Sequence, residues 1–537
     1  MMKHLSRRWA IAPLYAALFA ASTQVSAANN AIELNVAQPP LSTPAILVKD
    51  GRILITRGGT YRLTGQSDNG QIWVNTGDEK VTLQLDNIQL SNAYGSALYL
   101  EEAGDVDVEL MPNSNNRFED HNHSAEKEGE AKQNAPIYSK ADLKITGAPQ
   151  ATLTIVGRYK DGIVSKDDLD IRRANISIET VDDGLYGQDS VDIRDSKILI
   201  KAGDDGIKAD NEEREDKGFV HIEGSDIQIF AKDDGIKGVR KVDIYSGNIR
   251  VEESYEGIES RNITIHGGNI FVKSEDDALN ISDGSGANEP SFGERVKGFF
   301  KGGERGEHPE GEMGERPPRG ERPEGQPSER PPRGERPEGQ PSERPPRGER
   351  PEGQPSERPP HGGGKAKVDG IMTILGGRTH IQSSGDGFDS NGDAMMSGGE
   401  LFIEGPTSGR DGYIDVDGFF KLTGGRLFAM GSAGMAQAPS DDSTQPVIQI
   451  NLESTYAKGA TVTITHVESN QVFEQVMPMD FQSFTVSEPE FTLGQTYQVQ
   501  INGEDITTVT LETVITRFGN AGRGGPRGER GEKKGWW

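Results

Sequence analysis

Eight short tracts in this 537-residue chain place an acidic side chain in the same local setting. They are KDGI (Lys160–Ile163), DDGL (Asp182–Leu185), DDGI (Asp204–Ile207), DDGI (Asp233–Ile236), YEGI (Tyr255–Ile258), DDAL (Asp276–Leu279), GDGF (Gly385–Phe388) and RDGY (Arg410–Tyr413). The residue before the glycine or alanine is Asp161, Asp183, Asp205, Asp234, Glu256, Asp277, Asp386 or Asp411, and Asp182, Asp204, Asp233 and Asp276 add a second acid. In the first six tracts that small residue recurs after 22, 22, 29, 22 and 21 positions. If the tracts stack, like charges lie ~4.8 Å apart and repel by roughly 3 kcal/mol at an effective dielectric near 20. Two arrangements offset such a column. In one, the tracts are Asp-Gly turns whose aspartates bond local amides, whose glycines take positive φ, and whose charges water screens. In the other the column binds cations. Carboxylates with turn carbonyls form a hard oxygen set, so calcium is the expected ion. Cysteine is absent and histidines do not follow the tracts, which disfavours softer metals.

Basic and aromatic residues accompany the acids. Lys208 and Lys237 follow their glycines by two positions, and Arg158, Arg240 and Arg261 lie nearby. Tyr186, Tyr255, Phe388 and Tyr413 sit at or beside the turns, where a ring face can stack on a sugar. Together these residues predict a groove for an anionic polysaccharide, with calcium bridging protein and uronate carboxylates. A calcium-assisted pectate lyase is the catalytic alternative, with Lys208 or Lys237 as base. It requires a lowered lysine pKa, whereas dense carboxylates raise it unless bound calcium compensates. A third reading is a calcium-rigidified surface or biofilm matrix protein.

The elements that position these groups are short strands. Seven and nine residues after the glycine come Leu169 and Ile171, Val191 and Ile193, and Val242 and Ile244. At fourteen and sixteen come Ile176 and Ile178, Ile198 and Ile200, and Ile249 and Val251. The long spacing of 29 contains a seven-residue polar insertion around Asn211–Lys217, after which Val220, Ile222, Ile227 and Ile229 resume the columns. Each pair alternates apolar and polar, which is strand periodicity with one face buried. With the apolar residue after the glycine, each tract has three short strands. The expected fold is all-β: a right-handed parallel β-helix, a solenoid of about 22-residue coils, with a small C-terminal antiparallel β module.

Composition sets the outer limits. A net charge of −27 argues against a nucleic-acid partner, and the missing cysteines exclude disulfides. Lys3, Arg7 and Arg8, the apolar run Ala10–Ala21 and Val25-Ser26-Ala27 read as an export signal over residues 1–27. No segment is long and apolar enough to span a bilayer, so a secreted, cell-surface or periplasmic location is expected. The β-helix is expected over residues 28–283 and 368–440, and the β module over 441–516. Between the two β-helix parts, residues 284–367 contain ERPPRGERPEGQPS three times from Glu315, with a fourth start at Glu357, and cannot bury a core. Residues 517–537 form a basic tail ending in two tryptophans.

The chain resembles exported carbohydrate-binding domain-containing proteins with a calcium-binding parallel β-helix. The resemblance rests on GGTYRLTGQSDNGQIWVN (Gly58–Asn75), NAPIYSKADLKITG (Asn134–Gly147), the DDG tracts, GYIDVDGFFKLTGGRLFAMGSAGMAQAP (Gly412–Pro439) and MPMDFQSFTVSEPEFTLGQTYQV (Met477–Val499). It implies non-catalytic binding of cell-wall polysaccharides such as polygalacturonate and cellulose.

Overall fold

A computed structural model describes residues 31–121, 133–283 and 368–520. The expected signal segment, the Pro-rich insert and most of the basic tail lie outside them. The described residues are all-β without a helix, and the sheets are mostly parallel.

Triplets of strands account for most of the chain. Ile163–Ser165, Asp168–Arg172 and Asn175–Thr180 form one, and Leu185–Gly187, Ser190–Arg194 and Lys197–Lys201 the next. Each strand pairs in parallel with its counterpart 22 residues on: Ile163 with Leu185, Leu169 with Val191, and Ile176 with Ile198. The first strands of the triplets build a 13-stranded sheet, and the second and third strands belong to a 26-stranded one.

Register is held by the alternating apolar residues. Leu169, Val191, Val220, Val242, Ile263, Met372, Ala394 and Phe420 follow one another as partners. All are at most 2% exposed. Burying each of the larger ones contributes ~1.5–3 kcal/mol, and a one-residue slip would turn the whole set toward water. The column absorbs both interruptions. Val191 meets Val220 across the polar insertion, and Asn262 meets Ile371 across the Pro-rich one.

The glycines are required for a reason other than the expected one. None of Gly162, Gly184, Gly206, Gly235 and Gly257 has a left-handed φ. A Cβ on Gly184 would lie 2.5 Å from both the Gly206 carbonyl oxygen and Ile200 Cγ2. Close approach of successive layers, rather than turn conformation, excludes a side chain.

Two further pieces follow. Phe481–Ser487 pairs antiparallel with Arg426–Gly431 and with Val447–Tyr456, which extends the large sheet. Thr461–His466, Val472–Val476, Thr496–Ile501 and Glu504–Thr510 form a separate four-stranded antiparallel sheet. Phe428, Phe484, Val462 and Val499 join the two pieces in one apolar cluster.

Candidate functional site

The acidic column forms, and its hydrogen bonds differ from those of an isolated turn. Asp183 Oδ1 accepts from the backbone N–H of Asp205 at 3.1 Å, and Asp205 Oδ1 accepts from that of Asp234 at 2.9 Å. Asp277 Oδ1 accepts from Asp386 N–H at 2.8 Å. Each carboxylate therefore reaches the amide of the next layer, not a local one. The series also corrects the phase of the last tract. Asp386 Oδ1 accepts from Gly412 N–H at 2.5 Å, so Gly412 takes the acidic position and Asp411 falls outside the column. Asp411 instead accepts from Ser408 Oγ at 3.1 Å.

A second column runs beside the first, on the outer face of the 13-stranded sheet. Its successive register partners are, in order, Leu54, Trp73, Tyr99, Tyr138, Val164, Tyr186, Lys208, Lys237, Glu259, Asn280, Asp389 and Asp415. It passes from aromatic through cationic to acidic. Lys208 bonds Asp205 at 2.7 Å and lies 3.4 Å from Asp183. Lys237 bonds Asp234 at 2.7 Å and pairs closely with Glu259.

Among the described residues, carboxylates converge at four places, each set having ligand atoms within 4.8 Å of one another: Asp142, Asp167 and Asp168; Asp182, Asp183 and Asp204; Asp234, Glu256 and Glu259; and Asp386, Asp389 and Asp415. Burial pushes Asp161, Asp204 and Asp386 up to about 7, with nearby carboxylates adding to the shift. Asp277 is pushed up to about 9 by burial and by Asp389, Asp276 and Asp386. Burial also raises Asp183 and Asp234 well above the usual range. For Asp205 and Glu259 burial is outweighed: Lys208 and Lys237 hold Asp205 low, and Lys237 holds Glu259 low. The donor set suits a hard cation. Asn280, only 2% exposed, donates to Glu256 at 2.8 Å, and its Oδ1 is buried without a hydrogen-bond partner among the described residues.

Several expected sugar contacts are elsewhere. Phe388 is fully buried and stacks on Phe420 at 5.1 Å. Tyr413 is fully buried, with its hydroxyl 2.9 Å from Ser483 and Thr485. Neither ring reaches solvent, because both side chains enter the core. Tyr186 is only 9% exposed, donates to Asp210 at 2.8 Å and carries the Lys166 ammonium over its ring at 4.3 Å. Tyr255 is half-buried. Arg240 and Arg261 donate to the backbone carbonyls of Glu212 and Asp283, and Arg158 bonds Glu119 at 2.7 Å. Asp233 and Asp276 are half-buried beside the acidic column. Glu259, Asn280 and Asp389 were missed, although they keep the two-residue offset of Lys208 and Lys237.

Similarity to known proteins agrees with this frame. A family profile described as carbohydrate-binding domain-containing protein matches residues 49–290. A carbohydrate-binding domain-containing protein of Acetivibrio thermocellus is 37% identical over 206 residues, covering 38% of this chain and 71% of that protein. The chain belongs to this carbohydrate-binding domain-containing family. The matched stretch, residues 49–290, holds the lysines and three of these four carboxylate clusters. A solved structure of a polysaccharide lyase-like protein from C. thermocellum, a gadolinium derivative, is similar at 30% identity. It aligns with a TM-score of 0.39 over 47% of this chain and 97% of that one. No helix among the described residues is long and apolar enough to cross a membrane.

Proposed function

We propose that this is an exported, calcium-dependent, non-catalytic binder of acidic cell-wall polysaccharide, built on a right-handed parallel β-helix. The in-register parallel pairing of successive triplets supports the helix, and the basic and apolar N-terminal run supports export. The observation that carries the cation is the convergence of Asp386, Asp389 and Asp415 on one outer face. Burial and neighbouring carboxylates push Asp386 up to about 7, so the group needs a positive partner to ionise cheaply. These three residues, and the Asp182, Asp183 and Asp204 set, would hold calcium. Bound calcium supplies a positive centre for uronate carboxylates.

In two intervening layers, lysine ammonium groups already provide that charge. Asp205 and Asp183 hold Lys208 well above the usual lysine range despite burial, and Asp234 and Glu259 do the same for Lys237. A lysine base needs the opposite shift; the ion pairs with Asp205 and Asp234 instead engage both ammonium groups as partners of the acidic column.

Calorimetry with calcium, followed by retention on polygalacturonate with and without chelator, tests the proposal. Calcium binding and chelator-sensitive retention are expected. Failure to bind calcium, or release of unsaturated uronates, overturns it.

A further inference from the structure

The aromatic end of the outer column opens into a cleft of about 540 Å³. Its floor is Leu54 and Trp73, adjacent partners in the sheet. Trp73 is held in place. Its indole N–H donates to Glu101 at 2.9 Å, and Asn75 donates to the same carboxylate oxygen at 2.9 Å. Tyr99 backs the ring at 5.8 Å, with the planes 38° apart. Tyr94 borders the cleft and is 75% exposed.

The cleft also carries charge. Ile46–Lys49 and Arg52–Ile55 form a hairpin turned by Asp50 and Gly51, at φ 52° and 76°. That turn sets the exposed Lys49 and Arg52 opposite each other on the cleft wall. Asn69 accepts from Ala93 N–H at 3.1 Å through its carbonyl oxygen, which leaves its amide N–H groups as donors.

We propose that this cleft seats one uronic acid residue of an acidic polysaccharide. The apolar face of the pyranose lies against Trp73 and Tyr94, and its carboxylate is taken by Arg52 and Lys49. A fixed aromatic ring gives contact area at little entropic cost. A guanidinium matches a carboxylate through paired N–H donors. The volume lies within the range of small-ligand sites. The proposal rests on the polysaccharide-binding reading but uses none of the acidic clusters, so binding here is independent of calcium.

The test uses the full chain with Trp9, Trp536 and Trp537 replaced by phenylalanine, which leaves Trp73 as the single indole. Trigalacturonate in the presence of chelator is expected to change Trp73 emission saturably. Arg52→Ala and Tyr94→Ala, both at exposed positions, are each expected to weaken that binding at least tenfold without lowering Tm. Silent emission, equal affinity for cellotriose, or no effect of Arg52→Ala overturns the proposal. If Trp73 is silent while the calcium-loaded protein still binds polygalacturonate, the cleft assignment fails and the calcium-dependent reading stands. If Trp73 responds and calcium has no effect, the cleft stands and that reading fails.

Discussion

Asp205 offers one carboxylate oxygen to the backbone N–H of Asp234 at 2.9 Å and the other to the Lys208 ammonium at 2.7 Å. Asp183 divides its oxygens in the same way, between the Asp205 amide and Lys208. One oxygen thus serves the stacking of layers, and the second is left for a cation. The turn and cation readings of the sequence describe two atoms of the same side chain.

Asp277 separates these roles. Asp277→Asn keeps an acceptor for the Asp386 amide and removes the charge, whereas Asp277→Ala removes both. Relative to the asparagine variant, the alanine variant is expected to lose about 1–3 kcal/mol, the cost of leaving the partly buried Asp386 N–H without its acceptor. The asparagine variant, which needs no proton uptake to fold, is expected to exceed the parent already at pH 7, and by more at pH 9, in chelator. Thermal unfolding at both pH values checks this.

The pH dependence has a definite sign. Asp161 and Asp386 near 7 and Asp277 near 9 bind protons more tightly folded than unfolded. Their stabilising protonation is complete below about pH 4 and is lost as pH rises through 7 to 9. In chelator, Tm should therefore fall across that window, and calcium should restore it. Calcium binding should release protons near pH 7 and weaken as the pH drops toward 6, which calorimetry in buffers of different ionisation enthalpy would show.

Lys237 acts as an internal cation for Asp234 and Glu259. Lys237→Met leaves the buried Asp234 and Glu259 carboxylates without their ammonium. The expected loss is about 3–5 kcal/mol in chelator, with more recovery by calcium than the parent shows. Paired denaturation curves with and without calcium measure both effects.

Gly184→Ala places a methyl 2.5 Å from the Gly206 carbonyl oxygen and Ile200 Cγ2. An expected cost of about 2–3 kcal/mol follows from overpacking. Gly494→Ala has no neighbour within 4 Å and only its φ of 81° to oppose it, so about 1 kcal/mol is expected. Urea denaturation of the two variants compares layer contact with backbone conformation.

The strands and the acidic column were legible because the spacing near 22 residues repeats a hydrogen-bonded layer, and layers must match in length. The RDGY tract misled because identical dipeptides carry no register: Gly412, not Asp411, meets Asp386. Phe388 and Tyr413 read as surface rings by proximity to acids, but Phe388 turns inward at the head of its strand, and Tyr413, just ahead of Ile414–Val416, is buried against Ser483 and Thr485. Glu259, Asn280 and Asp389 share an offset without sharing a residue type, so no composition signal joins them to Lys208 and Lys237. Trp73 and Tyr94 stand among early strands that lack the DDG marker, and only the sheet pairing aligns Trp73 with the rest.

At the final layer, the position held upstream by a bare glycine is held by Tyr413. Phe388 N–H reaches the Tyr413 carbonyl as Leu279 N–H reaches that of Gly387. The outer strand Ile414–Val416 is also closed: Val416 N–H donates to the Gln437 side chain at 3.1 Å, and Gln437 donates to Asp415 at 2.9 Å. An open parallel edge invites a further strand from another molecule. With a ring in the one slot that must stay empty and an amide on the strand's free N–H, this end cannot template its own continuation.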